Sequence, residues 1–243
     1  MGLHSDFQGS RGTLTFFLGN KHTTSKIERL VCMVPPATEF NFNLGQVPTE
    51  IPPKIQVQVS NLPLSDPLPM LNVKLLIQVH LSVECAQPFA EPPSMQLSYK
   101  METNAMTQTL KLPVLPSKFL QPFPDISQEM FFEYWKAQQG PPHKQQEFIT
   151  TPVAVPAASV VALLQSLNFG CRPLALDVNE DNSVGAAYFR FSQAGQEQQL
   201  LAQVRIEGNP QGRRQFRVTV CTPNVMLTTK LKDTIMQQLS ACR

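Results

Sequence analysis

The side chains best suited to catalysis or metal binding are the five cysteines and four histidines of this chain. No cysteines form a Cys-x-x-Cys pair and the histidines are scattered, so a structural zinc site is not expected. The odd cysteine count argues against a disulfide framework and favours a reduced, cytosolic setting. A nucleophilic thiol made by Cys171 or Cys221 with His143 stays open, because folding can bring such partners together.

Other features of the sequence argue against most further chemistry. The signatures G-x-S-x-G, P-loop and G-x-G-x-x-G do not occur. A net charge of +2 with 16% charged residues argues against a nucleic-acid binder that relies on bulk charge. No apolar run reaches the roughly 18 residues of a membrane-spanning helix. We therefore expect a protein without metal or cofactor, and no pattern in the sequence favours an enzyme.

The only tryptophan lies in the segment PDISQEMFFEYWKAQQG, residues 124–140, which is typical of a helix. Asp125 is predicted as the N-cap with Gln128 as its capping-box partner, and Gly140 before two prolines predicts the end. Apolar side chains sweep an arc of roughly 240°, whereas one buried face needs a little over 100°. The surplus falls on Phe132 and Trp135, which either a second core layer covers or a ligand binds.

Two later strands each place an arginine opposite an apolar face. In LLAQVRIEG, Arg205 and Glu207 alternate with buried-type residues, and in RRQFRVTVC, Arg217 does the same. These arginines either lie on a hydrated sheet face or border a surface crossed by the aromatic helix. In the second case the surface would suit an acidic, aromatic peptide, because arginine binds carboxylates bidentately and tryptophan provides a large contact area.

The order of predicted elements divides the chain near Ser117. Residues before it read as short strands between proline, glycine and asparagine turns, as in a β-sandwich. Residues after it mix helices with strands joined by short links, which predicts an α+β layer with antiparallel pairing. The predicted strands of the first half are GTLTFFLGNK, IERLVCMVP, KIQVQVSNL, VKLLIQVHLSVEC, SMQLSYKM and TQTLKLPVL. In the second half, HKQQEFITTPVAVP is predicted to hold a proline-marked loop and a strand, and further strands are predicted for CRPLALDV, GAAYFRFSQ, LLAQVRIEG and RRQFRVTVCT. Further helices are predicted at about 157–168 and from a start between Pro223 and Thr229.

Three segments carry a resemblance to a known family. They are FFLGNK near the N-terminus, KFLQPFPDISQEMFFEYWK in the middle, and the strands with Arg205-x-Glu207 and Phe216-Arg217. In this order, and from Leu3 to Leu239, the sequence resembles the C-terminal appendage of α-adaptin. That protein is the large α subunit of the clathrin adaptor complex of the plasma membrane.

The resemblance implies a fold and a function. The fold is an immunoglobulin-like β-sandwich at 1–117 followed by an α+β platform at 118–243, with helices flanking a short antiparallel sheet. The function is recruitment of endocytic accessory proteins through Asp-Pro-Phe, Asp-Pro-Trp and Phe-x-Asp-x-Phe motifs in their disordered tails. The implied location is the cytoplasmic face of the plasma membrane, in clathrin-coated pits. The remaining subunits of the heterotetrameric adaptor are implied partners through the rest of the α subunit.

The resemblance also implies the residues of the platform site. Phe132 and Trp135 would form its aromatic pocket, and Arg205 and Arg217 would meet the carboxylate or backbone of the motif, with Glu207 beside them.

Two positions depart from the pattern of the family. The family has a further arginine where this chain has Cys221, and an acidic residue of the pocket falls on Lys144. These departures predict a different affinity or motif preference.

The sandwich carries a second implied site, for Trp-x-x-Phe-type motifs. Its aromatic member falls on Phe17, and the nearest glutamine is Gln78, shifted by two positions. Because Phe16 and Phe17 alternate in direction, one of them must face away from the core of a regular strand.

Two other functions stay open: an appendage of another coat, such as the Golgi adaptor or coatomer, and a thiol-dependent hydrolase.

Overall fold

The computed structural model describes residues 2–54, 77–138, 140–172 and 175–242. Its first part consists of two antiparallel four-stranded sheets, with strand orders β1-β2-β6-β4 and β5-β3-β7-β8. This pair of sheets confirms the predicted β-sandwich. The strands are β1 (Gly2–Gln8), β2 (Arg11–Leu18), β3 (Ile27–Met33), β4 (Phe40–Leu44), β5 (Glu50–Ile51), β6 (Ile77–Cys85), β7 (Ser94–Met101) and β8 (Asn104–Lys111).

The sandwich core follows from strict alternation along its central strands. In β2, Leu14 and Phe16 are buried while their neighbours face outward, and β6 repeats this pattern with Val79, Leu81 and Val83. Such alternation is expected where one face of an antiparallel sheet is buried. The strand predicted for KIQVQVSNL lies, from its second residue on, outside the described residues.

The second part is a six-stranded antiparallel sheet with three helices, as predicted for the α+β platform. The sheet has the order β10-β14-β13-β12-β11, and β9 pairs with β12. A short 3₁₀ helix, Pro116–Phe119, leads into it. The elements are β9 (Leu120–Pro122), α1 (Gln128–Ala137), β10 (Lys144–Thr150), α2 (Ala157–Ser166), β11 (Gly170–Cys171), β12 (Asn182–Gln193), β13 (Gln196–Gly208), β14 (Gln215–Cys221) and α3 (Val225–Ala241).

The inner face of this platform sheet is apolar and covered by α2 and α3. Val204, Val218 and Val220 have no exposed surface, and Leu164 from α2 and Leu231 from α3 belong to the same cluster. The residues of this cluster recur at every second position in the strands and at every third or fourth position in the helices. Burial of this apolar face holds the sheet against α2 and α3.

The two parts of the fold share one hydrophobic cluster. Phe7 of β1 meets Phe119 edge-on with ring centroids 5.3 Å apart, and Phe89 lies 6.4 Å from Phe189 of β12. The division of the chain near Ser117 stays a prediction. Within the described residues no helix is long and apolar enough to span a membrane.

The strand predicted for CRPLALDV is wrong beyond Cys171, because the described residues that follow form turns and bends. The carboxylate of Asp177 accepts a hydrogen bond from the Asn179 amide at 3.0 Å. Aspartate side chains that bond to nearby backbone in this way favour turns over strands. Strands β1 and β4 were not predicted, since their exposed polar residues hide the alternation in sequence.

Candidate functional site

Helix α1 begins two residues later than the sequence predicts. Its N-cap is Ser127, whose hydroxyl accepts a hydrogen bond from the Met130 amide at 3.1 Å, so the prediction of Asp125 as N-cap is wrong. The reason is packing: Ile126 is buried in the same cluster as Phe131. These residues flank the cap at the positions of a hydrophobic staple, which fixes where the helix starts.

Helix α1 crosses the outer face of the platform sheet. The Phe131 ring is fully buried against Val184 and Ala186 of β12, and the Gln203 side chain donates a hydrogen bond to the Phe131 carbonyl at 2.7 Å. Gln203 is itself 1% exposed, although it belongs to the polar set of β13. The interpretation in which an aromatic helix covers this face is therefore confirmed.

The apolar surplus of α1 differs from the prediction. Met130 and Tyr134 are its most exposed apolar side chains, at 41% and 45%, whereas Phe132 and Trp135 are half-buried. The helix is rotated so that Phe131 points at the sheet and draws Trp135, one turn later, partly under cover. Phe132 and Trp135 thus form the border between core and solvent.

Trp135 is held by two neighbours. Its ring stacks on Phe131 with centroids 5.6 Å apart and an angle of 22° between planes. The Lys144 ammonium lies 4.7 Å from the indole centroid and donates a hydrogen bond to the Trp135 carbonyl. A cation is attracted by the face of an aromatic ring and also by the negative C-terminal end of a helix, and Lys144 makes both interactions. The indole is therefore fixed in orientation while part of it remains accessible.

Phe132 borders a shallow concavity on the solvent side of α1. Its ring meets Phe131 edge-on, with centroids 5.3 Å apart. The concavity, of about 550 Å³, is also lined by Glu129, Glu133 and Lys136. The rim beside Phe132 therefore carries more negative than positive charge.

Arg205 and Arg217 belong to a chain of alternating charges. Arg205 donates to Asp177 at 3.0 Å and lies 3.3 Å from Glu207. Glu207 in turn accepts both hydrogen bonds of the Arg217 guanidinium and raises its pKa. Asp177 also accepts from the Asn182 side chain at 3.0 Å. Each arginine is thus already neutralised by a carboxylate of the protein.

The strand register places the aromatic and ionic groups on one face. Lys144 of β10 lies opposite Cys221 of β14, which lies opposite Gln203 beneath α1. Arg205 is two residues along β13 from Gln203, which is about 7 Å, and Arg217 is four residues from Cys221, about 13 Å. All five predicted platform residues therefore lie on or beside the outer face of one sheet. Those residues are Phe132, Trp135, Arg205, Glu207 and Arg217.

The thiol chemistry left open by the sequence has no support. Burial raises the pKa of Cys171 to about 12 and that of Cys221 to about 11. Both thiols stay protonated at neutral pH, whereas a nucleophilic cysteine needs a lowered pKa. All five cysteines are free thiols. Among the residues that the structure describes, no group of three or more side chains could hold a metal ion.

A more enclosed cavity lies beside the exposed Tyr134. It has a volume of about 330 Å³, and Tyr188, Leu201 and Pro223 are among its lining residues. Its side chains are uncharged, in contrast to the surroundings of Trp135. It is the alternative to the surroundings of Trp135 as the place where a ligand binds on this face.

The sandwich candidate, Phe17, lies in a different sheet from the platform residues. Phe17 is half-exposed while Phe16 is buried, as alternation requires. Its cross-strand partner is Gln78, whose side chain is exposed. The shift of two positions in sequence therefore does not prevent this pair from lying side by side.

Sequence reasoning missed Asp177 and Gln203. Asp177 was placed within a predicted strand, and its role depends on a turn that brings it to Arg205. Gln203 was not singled out from the other polar residues of its strand. The sequence contained one signal for Gln203: it lies on the face of β13 that one of the two interpretations placed under the aromatic helix.

Comparison with known proteins supplies the family. The family model for the alpha-adaptin AP2 C-terminal domain matches residues 118–239. AP-2 complex subunits alpha-1 and alpha-2 from Arabidopsis thaliana are each 32% identical over 241 residues, covering 98% of this chain and 21% of the relative. AP-2 complex subunit alpha-2 from Dictyostelium discoideum is 27% identical, covering 98% of this chain and 22% of the relative.

The chain thus spans about a fifth of the length of these relatives. A crystal structure of the yeast GGA1 GAE domain aligns at 14% identity and a TM-score of 0.29, covering 46% of this chain and 91% of that one. The chain belongs to the alpha-adaptin AP2 C-terminal domain family, whose members are non-catalytic protein-interaction modules.

Proposed function

We propose that this appendage recruits endocytic accessory proteins by binding short aromatic and acidic motifs in their disordered tails. The motifs are of the Asp-Pro-Phe, Asp-Pro-Trp and Phe-x-Asp-x-Phe type, and the process is clathrin-mediated endocytosis. One observation carries the proposal: α1 leaves the indole of Trp135 half-buried beside a cation, on a sheet face that also carries an ionic network. A ring from a ligand can contact the indole edge while its backbone and carboxylate meet charged groups.

The rest of the adaptor supplies the setting. The other subunits of the heterotetramer are partners through the remainder of the α subunit, and the location is the cytoplasmic face of the plasma membrane in coated pits. A short peptide loses conformational freedom and buries little area, so one motif binds with roughly micromolar affinity or weaker. Tails with several motifs gain strength from effective concentration where many adaptors share one membrane patch.

A second site in the sandwich is part of the proposal. The half-exposed Phe17 beside the exposed Gln78 supports it, since an aromatic ring and a carboxamide together suit a Trp-x-x-Phe motif. Binding at both sites would let one tail bridge the two sheets or two tails bind at once.

The platform site is tested with Trp135→Ala and an Asp-Pro-Phe peptide in isothermal titration calorimetry. We expect the variant to lose measurable binding while still unfolding cooperatively, since the Phe131 side chain that seats the helix remains. Tyr134→Ala is the matched control, because Tyr134 is exposed on the same helix, and it should bind as the wild type does. Wild-type affinity in Trp135→Ala, or loss of binding only together with loss of folding, would contradict the proposal.

A further inference from the structure

Lys144 differs from Arg205 and Arg217 in how its charge is balanced. Arg205 is paired with Asp177 and Glu207, and Arg217 with Glu207. Across the part of the chain that the structure describes, no carboxylate lies within 4.0 Å of the Lys144 ammonium. Its partners are a backbone carbonyl and the face of the indole.

The place of Lys144 in the fold makes this charge available. It is the first residue of β10, an edge strand, and it is half-buried. It lines a concavity of about 500 Å³ that gives a ligand access from solvent. The other cation in this lining, Lys232, is already paired with Glu147. A hydrogen-bonded, partly buried ammonium is screened less than an exposed one, so a carboxylate placed here gains more.

The surroundings of the two aromatic side chains favour one orientation of a ligand. The concavity beside Phe132 carries two carboxylates, Glu129 and Glu133, against one cation, Lys136, and its net negative charge disfavours a carboxylate of the ligand. The side of Trp135 carries Lys144. An acidic residue next to a bound ring is therefore favoured on the β10 side of α1 and disfavoured on the other.

We propose that Lys144, rather than Arg205 or Arg217, provides the charge that binds the carboxylate of the motif. This inference rests on the proposed function, and it makes Lys144 the specificity-determining residue of the platform site. Arg205 and Arg217 then serve to hold the sheet face and to contact the peptide backbone, since their charges are offset within the protein. Binding an acidic motif would draw the ammonium toward the ligand without breaking a protein ion pair.

The test is a double-mutant cycle between Lys144 and the aspartate of the ligand. Wild type and Lys144→Gln are titrated with an Asp-Pro-Phe peptide and with its Asn-Pro-Phe counterpart, by calorimetry or by the fluorescence of Trp135. Wild type should prefer the aspartate peptide about fivefold to tenfold, and Lys144→Gln should bind both peptides equally. Lys144→Arg should restore the preference. Arg217→Gln should weaken binding of both peptides alike, through its contact with the peptide backbone, and should keep the ratio of the two affinities.

A control separates this effect from loss of net charge. Lys118→Gln removes one positive charge at an exposed position before β9, and it should leave the preference unchanged. Thermal unfolding of each variant shows whether loss of the Lys144 hydrogen bond has loosened α1. Because Lys144→Arg retains the charge, its preference tests the inference even if Lys144→Gln is less stable.

Two results overturn the inference in distinguishable ways. If wild type prefers the aspartate peptide and Lys144→Gln keeps the same ratio, the inference is wrong and the proposed function stands. If wild type binds neither peptide, the proposed function is wrong and this inference falls with it.

Discussion

On the inner face of the platform sheet, β13 and β14 present Val204, Val218 and Val220 to two helices. On the outer face the same strands present polar and charged side chains to the single short helix α1. Apolar contacts are non-directional and tolerate only close packing, so the inner face stabilises the fold without offering a binding site. On the outer face, α1 is held by the packing of Phe131 together with a few directed bonds, and its border stays accessible.

The difference shows how one sheet serves both stability and binding. The buried Gln203 would be unfavourable in an apolar core, but here its hydrogen bond to the Phe131 carbonyl gives the helix a fixed position. A helix fixed in this way can keep Trp135 half-buried, where it is oriented yet reachable. Changes on the inner face should therefore reduce stability, and changes on the outer face should alter binding more than stability.

The largest effect on stability is expected from Leu231→Ala on the inner face. Leu231 is 1% exposed in α3, and removing its side chain leaves a cavity that costs about 2–5 kcal/mol. Chemical denaturation measures the loss, and Met226→Ala, at a 41% exposed position of the same helix, should cost less than about 0.5 kcal/mol. Peptide affinity of the folded fraction should not change, and a lower affinity would show that the two faces are coupled.

A smaller effect is expected from Gln203→Ala on the outer face. The variant loses the 2.7 Å hydrogen bond to the Phe131 carbonyl and should be less stable by about 1–2 kcal/mol. Because this bond positions α1, peptide affinity should also fall, and hydrogen exchange of the α1 amides should speed up. Gln199→Ala, at an exposed position of the same strand, is the control. Unchanged exchange in α1 would mean that packing of Phe131 alone positions the helix.

The N-cap of α1 is expected to contribute about 1 kcal/mol to the free energy of unfolding. Ser127→Ala removes the hydroxyl that caps the helix, and such losses typically cost about 1 kcal/mol. Asp125→Ala, at the position that the sequence favoured as N-cap, should change the free energy of unfolding by less than half of that. Thermal unfolding of the two variants compares the two candidate N-caps. A larger loss of stability in Asp125→Ala than in Ser127→Ala would show that Asp125 is the N-cap.

The smallest effect on stability is expected from Phe17→Ala in the sandwich. Phe17 is half-exposed at its cross-strand contact with Gln78, so the free energy of unfolding should fall by about 1 kcal/mol or less. Binding of a Trp-x-x-Phe peptide should be lost, and binding of the Asp-Pro-Phe peptide should persist. A large loss of stability would instead place the Phe17 ring among the core residues of the sandwich.

The sequence was sufficient where one local pattern determined the outcome. Two-residue alternation predicted the inner and outer faces of β13 and β14, and the aromatic segment predicted a helix, whose position over the outer face was one of two alternatives. It was insufficient where distant residues compete. The burial of Ile126 moved the N-cap to Ser127, and the turn at Asp177 supplied a partner that neutralises Arg205. The charge balance of the site therefore became visible only with the folded structure.

The most direct measurement is an NMR titration of the domain with one Asp-Pro-Phe peptide. The indole N–H of Trp135, the only tryptophan, gives a single assignable signal, and the amides of Lys144, Arg205 and Arg217 report the sheet face. We expect saturable shifts confined to these groups and to Phe132. Shifts centred on the uncharged cavity at Tyr134 and Tyr188, or an indole signal that does not move at saturation, would contradict it.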